Sequence, residues 1–207
     1  AVILGSGLSA ISDKIIKKNT IPYSSIPYYP KTNIEGHAGE FVIGELNGAS
    51  IIVAKGRMHY YEGYSIELVT TPIKLLSKLG VKYIIITNSA GSLRSENPPG
   101  HFMIADGHMD FTFRRDSKDP RINSDLIFHD KELINIAKSA SKNLNLNTCV
   151  GCYCWTLGPS YETPAEIQDM ARLGGSAVGM STVPEIISAA KSGIKSLTIS
   201  CLTNYAA

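Results

Sequence analysis

The chain lacks the features that mark membrane-spanning, nucleic-acid-binding or disulfide-rich proteins. No apolar run approaches the ~18 residues that a membrane-spanning helix needs. Its 20 Lys and Arg residues nearly balance 18 Asp and Glu residues, so charge predicts neither a nucleic acid nor a membrane partner. The 207 residues suffice for one sizeable α/β domain with its own core. We therefore expect a single domain over 1–207, with natural segments missing at both ends because each end lies in or beside a strand.

Cysteine is also scarce, with four residues in the chain. Cys149 and Cys152 form a C-x-x-C pair, but a zinc site would need a second pair of ligands at similar spacing, and the sequence has none. Cys152 and Cys154 alternate with Tyr153 and Trp155, which is typical of a strand. We expect reduced core cysteines, no metal, and a reducing cytoplasm.

A third absence concerns acidic residues near the amino terminus. The opening "AVILGSGLSAI" matches the G-x-G-x-x-A dinucleotide fingerprint, which needs an acidic residue about 20 positions further on. No Asp or Glu occurs from Lys14 to Ile34. A dinucleotide-dependent oxidoreductase is therefore disfavoured, whereas a phosphate site around Ser6 stays open because such a glycine turn exposes backbone N–H groups.

Apolar, β-branched runs alternate with helical patterns along the chain. Strand-like runs occur near residues 1, 41, 50, 81, 101, 149, 176 and 196, and amphipathic helical patterns cover 67–80, 130–144, 163–175 and 182–193. Thr163 and Glu166 have the spacing of a capping box. Strands that alternate with helices of this length predict an α/β fold with a largely parallel, buried sheet.

Polar residues crowd the ends of several predicted strands. "GRMHYYEGYS" places Arg57 and His59 directly after "SIIVAK", and ligands of α/β proteins bind at strand ends. Arginine offers a planar, always-charged fork that suits phosphate. "IIITNSAGSL" ends another strand in small residues whose backbone N–H groups could serve an anion. Each stretch taken alone is also explained as an ordinary loop.

Three later stretches are equally ambiguous when taken singly. "GPSYETPAEI" offers Tyr161 as an aromatic face and Glu162 before a helix, where capping is the plainer role. "AVGMSTVPE" has Met180 and Ser181 at a strand tip, and "TNYAA" ends a strand at Asn204. A core, capping or turn role explains each of them as well as a binding role does.

Taken together, these motifs resemble a known family. "GSGL", "GHAG", "GRMHYYEGY", "TNSAG", "GPSYETPAE", "AVGMSTVPE" and "TNYAA" occur in the order and at the intervals of the trimeric, low-molecular-mass purine nucleoside phosphorylases. The resemblance implies a single three-layer α/β/α domain around a mixed, partly barrel-like sheet, acting as a homotrimer without metal or organic cofactor. It also implies purine nucleosides as substrates, with inorganic phosphate as co-substrate.

The resemblance also assigns site residues. Phosphate would be bound by Ser6, His37, Arg57, His59, the backbone N–H of Ser89, and Ser181. Tyr61 and Met180 would contact the ribose, and Tyr161, Glu162, Val178 and Asn204 would surround the purine. Asn204, Glu162 and His59 would be the catalytic residues. Where the family takes an aromatic residue from a neighbouring subunit, the best register gives Ile122, so completion of the site between subunits is not predicted.

Side-chain chemistry favours one class of base. Asn204 carries one acceptor and one donor, so it can accept from a protonating N7 and donate to an O6. An ionised Glu162 accepts from the N1–H of hypoxanthine or guanine, whereas N1 of adenine carries no proton. Both residues favour 6-oxopurines, namely inosine and guanosine. Two alternatives remain open: a methylthioadenosine phosphorylase, and a non-catalytic module that binds nucleoside or phosphate.

Overall fold

The computed structural model describes residues 1–30 and 38–206, so His37 lies outside the described residues. The strands in the described part are β1 Val2–Leu4, β2 Ile16–Pro22, β3 Glu40–Leu46, β4 Ala49–Lys55, β5 Tyr83–Ser92, β6 Phe102–Asp110, β7 Thr148–Trp155, β8 Gly175–Gly179 and β9 Lys195–Tyr205. The α-helices there are α1 Ile66–Val69, α2 Thr71–Lys78, α3 Lys131–Asn143, α4 Pro164–Arg172 and α5 Val183–Lys191.

One mixed sheet contains all of these strands, in the order β2-β3-β4-β1-β5-β8-β7-β6-β9. Strand β9 also pairs with β5, so β5, β8, β7, β6 and β9 close into a five-stranded barrel while the other four strands extend from it. Antiparallel pairs (β2–β3, β3–β4, β5–β8 and β6–β9) are nearly as frequent as parallel ones. The fold class implied by the resemblance is confirmed, and the largely parallel sheet expected from strand–helix alternation is wrong.

Strand β5 is the fork between the open sheet and the barrel. Its first half pairs with β1, ending at Ile86 opposite Ile3, and its last residues pair with β8, beginning at Gly91 opposite Val178. Between these points, residues 87–90 have no ladder partner on that edge in the described structure, while β9 runs along the other edge throughout. Divergence of β1 and β8 therefore opens a cleft beside the middle of β5, as at the switch points of open α/β sheets.

The helices flank the sheet and mostly follow the sequence pattern. Helix α4 begins at the predicted capping box of Thr163 and Glu166. The single helix expected over 67–80 is wrong, because the chain forms α1 and α2 with a break at Thr70. Pro72 explains the break: its ring would clash with a carbonyl four residues earlier, and it has no N–H to donate.

Two features bear on the cysteine and membrane predictions. Cys152 and Cys154 are buried and free in β7, as the alternation with aromatic residues predicted. In the described ranges, no helix is long and apolar enough to cross a membrane.

Candidate active site

The cleft beside β5 is a cavity of about 490 Å³. Every site residue assigned from the sequence lines this cavity, apart from His37, which is outside the described residues. The lining residues are Ser6, Arg57, His59, Tyr61, Ser89, Tyr161, Glu162, Val178, Met180, Ser181 and Asn204. They come from the segments after β1, β4, β7 and β8 and from β5, β8 and β9 themselves. The fold thus brings together residues that are up to 198 positions apart in the chain.

Arg57 anchors the enclosed end of the cavity. Its side chain is only 2% exposed. One terminal nitrogen, Nη1, donates to Ser181 Oγ at 2.9 Å and Thr182 Oγ1 at 3.3 Å, and Nη2 donates to the carbonyl of Thr87 at 2.7 Å. Its Nε lies 3.4 Å from a carboxylate oxygen of Glu185. The guanidinium is therefore fixed between β5 and the start of α5, with hydroxyl groups on its cavity side.

Thr182 holds an unusual backbone conformation at this end. Its φ of +79° and ψ of −49° lie where residues other than glycine rarely occur, and Val183 N donates to Ser181 O at 2.9 Å across it. Such a three-residue turn costs on the order of 1–3 kcal/mol. The turn aims the Thr182 hydroxyl at Asn88 Nδ2, which donates to it at 3.0 Å, and at Arg57. The strained turn at Thr182 places the preceding residue, Ser181, in the cavity wall.

The Gly-Ser-Gly turn contributes Ser6 to the same end. A Cβ on Gly5 would lie 2.6 Å from Asn88 Cα, so glycine is required there because the turn packs directly on β5. Ser89 Oγ donates to Ser6 O at 2.9 Å, which ties the turn to the strand. The segment that follows is a six-residue 3-10 helix, Ser9–Lys14, and not the long α-helix of a dinucleotide-binding unit. The turn therefore belongs to the cavity wall.

His59 and Tyr61 form the adjoining wall. Glu62 Oε1 accepts from the backbone N–H of His59 at 2.6 Å and lies 3.4 Å from His59 Nδ1. The rings of His59 and Tyr61 stack with centroids 4.9 Å apart. Burial, with a smaller contribution from Glu62, raises the pKa of Tyr61, so its hydroxyl is a neutral donor. The charged and aromatic residues of "GRMHYYEGYS" thus contact one another and hold the segment against the cavity.

Gly158 sets how closely the loop after β7 approaches this wall. Its φ is +69°, and a Cβ there would lie 2.5 Å from Met180 Sδ and 2.9 Å from a ring carbon of Tyr61. No larger residue fits without displacing both side chains. The contact brings Met180 and Tyr61 together between the two ends of the cavity.

The other end of the cavity is open and polar. Thr156 Oγ1 donates to Glu162 Oε1 at 2.6 Å, while Tyr161 is 85% exposed. A bulge in β9 sets the position of Asn204: Ala90 pairs with Leu202 but Gly91 pairs with Asn204, so Thr203 is the extra residue. Asn204 Nδ2 donates to Tyr205 O at 2.8 Å and its Oδ1 accepts from Thr203 Oγ1 at 2.9 Å.

Sequence reasoning missed several residues that support the site. Asn88 and Thr182 stand inside motifs that were singled out, yet residue type alone does not show that they bond to each other. From the sequence, Glu185 looks like an ordinary acidic residue in the first turn of α5, and Thr156 looks like the residue that ends a strand. A carboxylate in the first turn of an otherwise apolar helix face was the one signal for Glu185. In the described residues, no cluster of three or more His, Cys, Asp or Glu could hold a metal ion.

Comparison with known proteins identifies this arrangement. The family model described as "Phosphorylase superfamily" matches residues 1–207. The chain belongs to the phosphorylase superfamily. Purine nucleoside phosphorylase 1 of Geobacillus stearothermophilus is 43% identical over all of this chain and 78% of the relative, and its Bacillus subtilis counterpart is 42% identical over all of this chain and 79% of the relative. Purine nucleoside phosphorylase of Rattus norvegicus is 35% identical over 99% of this chain and 75% of the relative.

Solved structures agree with these relatives. Isoform 2 of Schistosoma mansoni purine nucleoside phosphorylase, in complex with cytosine and ribose-1-phosphate, superposes with a TM-score of 0.88 at 34% identity, covering 99% of this chain and 76% of that one. The Schistosoma enzyme in complex with inosine gives 0.86 at 33%, with the same coverage. This phosphorylase is accordingly an enzyme with purine-nucleoside phosphorylase activity, and the resemblance read from its motifs is confirmed. A dinucleotide-dependent or non-catalytic role is no longer tenable.

Proposed function

We propose that the chain catalyses reversible phosphorolysis of 6-oxopurine nucleosides, inosine and guanosine, to free base and ribose 1-phosphate. The observation that supports this most strongly is the composition of one cavity of about 490 Å³. Its enclosed end carries the Arg57 guanidinium and hydroxyl groups, and its open end carries Glu162 and Asn204. An anion and a polar heterocycle can therefore be held on either side of a sugar.

In this proposal phosphate is bound at the enclosed end. Arg57 supplies the charge, Ser6 and Ser181 supply hydroxyl groups, and Ser89 supplies a backbone N–H. His59 donates a further hydrogen bond, and His37 joins from outside the described residues. Charge-assisted hydrogen bonds are each worth about 1.5–3 kcal/mol, so two or three suffice for phosphate binding at working concentrations.

The chemistry replaces one bond at the anomeric carbon with another. The glycosidic C–N bond breaks and leaves an oxocarbenium-like sugar, while the bonding electrons pass to the purine. The phosphate dianion, HPO4²⁻, stabilises the sugar cation and then forms the new C–O bond, which gives ribose 1-phosphate. The base takes up a proton from water at N7, and the proton that the phosphate releases to water balances it. Tyr61 and Met180 hold the ribose between the two groups. Electron density on the leaving purine is stabilised by hydrogen bonds that strengthen in the transition state.

The open end selects the base. Asn204 accepts from N7–H and donates to O6, and Glu162 accepts from N1–H, while Tyr161 and Val178 cover the ring. The Thr156 hydroxyl, which donates to Glu162 at 2.6 Å, occupies one carboxylate oxygen and orients the other. Adenine, without a proton at N1 and with an amino group in place of O6, satisfies neither residue, and this argues against the methylthioadenosine alternative.

The proposal includes the assembly and compartment inferred from the sequence. The resemblance to the trimeric class supports a homotrimer. Ile122, Leu126 and Ile127 are 43%, 63% and 62% exposed on one segment, as expected of a surface that a second subunit covers. Four free cysteines fit a reducing cytoplasm.

A substrate comparison tests the proposal. Inosine with phosphate is expected to release hypoxanthine, whereas adenosine and methylthioadenosine release little adenine. Glu162→Gln should reduce kcat/KM for inosine by about tenfold to a hundredfold, since it removes one charge-assisted hydrogen bond. The ratio of kcat/KM for inosine to kcat/KM for adenosine should fall as well. Glu166→Gln, an exposed capping residue four positions on, is the matched control. Adenine release equal to hypoxanthine release would refute the base assignment, and cleavage without phosphate would refute the reaction.

A further inference from the structure

A fully buried carboxylate lies behind the phosphate end. Glu185, in the first turn of α5, is 1% exposed, and its Oε1 lies 3.4 Å from Arg57 Nε. In the described part of the chain, neither oxygen of this carboxylate has a hydrogen-bond partner. A carboxylate buried in this way is ordinarily satisfied by several donors. Its contact with the guanidinium is therefore electrostatic more than it is a directed hydrogen bond.

The groups around Glu185 leave it dependent on Arg57. The pKa of Glu185 is raised by burial, and the Arg57 guanidinium offsets part of that rise. The neighbouring titratable groups are Tyr23 and Tyr29, whose pKa values are raised, first by their own burial and also by Glu185. Both phenols are thus neutral, and Tyr23 donates to the carbonyl of Gly56, next to the arginine, at 2.9 Å. The 3.4 Å between Arg57 Nε and Glu185 Oε1, with both side chains buried, is the geometry of a buried ion pair.

We propose that Glu185 is an internal counter-anion that positions Arg57 in the phosphate-free enzyme and weakens the binding of phosphate and of ribose 1-phosphate. The inference rests on the proposed phosphate role of Arg57. The carboxylate contacts Nε, while Nη1 faces Ser181, which lines the cavity, and the buried Thr182. Glu185 therefore acts through the guanidinium without touching substrate. A negative charge behind the arginine opposes the arrival of a second one in front of it and allows the anionic product to leave.

Linkage fixes the direction of the expected effect. Removing one partner of a buried ion pair leaves an uncompensated charge, which is strongly destabilising. A ligand that supplies the missing charge then binds more tightly than it bound the compensated site. Neutralising Glu185 without changing its shape should therefore weaken the fold and strengthen phosphate binding at the same time, a combination that a purely structural role does not produce.

Glu185→Gln is the direct test. In phosphate-free buffer we expect its dissociation constant for inorganic phosphate, measured by calorimetry, to fall about tenfold, as expected for a unit charge acting across a partly buried site. Because product release slows, kcat and the KM for inosine should fall together, so that kcat/KM for inosine stays within twofold. Equal or weaker phosphate binding would overturn the proposal. Ile134→Val, a core change in α3 away from the cavity, controls for destabilisation alone.

A stability cycle keeps the proposal testable if Glu185→Gln folds poorly. Thermal unfolding without phosphate is compared for wild type, Glu185→Gln, Arg57→Gln and the double variant. The double variant should be more stable than either single variant because no unpaired charge remains. Additive losses would overturn the counter-anion role. If Arg57→Gln keeps phosphate-dependent turnover, the proposed phosphate site fails, whereas this cycle, which contains no phosphate, still decides the charge pairing.

Discussion

The two ends of the cavity are built in opposite ways. At the enclosed end, Arg57 and His59 are 2% and 9% exposed. Hydrogen bonds tie Arg57 to β5 and to the two residues before α5, and an ion pair links it to a buried carboxylate. At the open end, Tyr161 is 85% exposed and the amide of Asn204 bonds only to its chain neighbours among the contacts described.

This difference follows from what each end holds in the proposed reaction. Phosphate is small, symmetrical and doubly charged, so a rigid, dry site with fixed donors binds it best. A purine must enter and leave with its sugar, and an open site with few fixed groups allows that movement. Stability and binding are therefore coupled at the enclosed end and separate at the open end. Variants at the enclosed end should lose both activity and stability, whereas variants at the open end should lose activity alone.

Arg57→Ala should have the largest effect and should change both properties. We expect phosphate-dependent turnover to fall by about a thousandfold or more, since at least two charge-assisted contacts are lost. The free energy of unfolding should fall by about 3–5 kcal/mol because Glu185 is left buried and unpaired. Steady-state kinetics and urea denaturation measure the two effects. Arg172→Ala, at the exposed end of α4, is the control, and loss of activity with unchanged stability would contradict the coupling.

Asn204→Ala should separate activity from stability. The expected cost is about 3 kcal/mol of barrier, by analogy with loss of one donor to a developing anion, so kcat for inosine should fall about a hundredfold. Because the side chain is exposed, the melting temperature should not change measurably. Asn135→Ala on the exposed face of α3 provides the comparison. Turnover within threefold of wild type would exclude Asn204 from stabilising the leaving purine.

Gly158→Ala should have the smallest effect, between the two ends. The added methyl group would displace Met180 and Tyr61 by a few tenths of an ångström or more, which should raise the KM for inosine about fivefold to tenfold through misplacement of the ribose. The KM for phosphate should be unchanged. Gly80→Ala has a similar φ of +83° but nothing near its added Cβ, so it separates backbone strain from crowding. Equal effects of the two variants would remove the steric explanation.

Residue patterns predicted many of the helices and strands, and the elements that they did not predict were missed for physical reasons. Helix α4 was predicted from a local capping box, and the buried strands from β-branched runs. Strand β2, Ile16–Pro22, was missed because its side chains are almost all exposed and its polar sequence shows no alternation. Closure of the barrel was not readable from periodicity either, because pairing of β9 with both β5 and β6 is a long-range property.

The site was predicted unevenly for the same reason. Arg57 and Glu162 stand out because charged residues at strand ends need an explanation. Asn88, Thr182 and Glu185 do not stand out, since their importance lies in contacts between β5 and the start of α5. Motif order over the whole chain, and not any single motif, gave the family. Residue type shows which groups can act, whereas the partners that restrain them appear only when the chain is folded.

The divergence of β1 and β8 along β5 affects which substitutions can alter the substrate preference of this enzyme. The cleft exists because β1 departs at Ile86 and β8 joins at Gly91, so its existence depends on the path of the backbone and not on any residue that lines it. Exchanges at the open end can alter which nucleobase is accepted without erasing the cleft. Exchanges behind Arg57 disturb the fold itself. New substrate preferences should therefore arise among the exposed residues of β9 and the loop after β7, while the enclosed end stays constant.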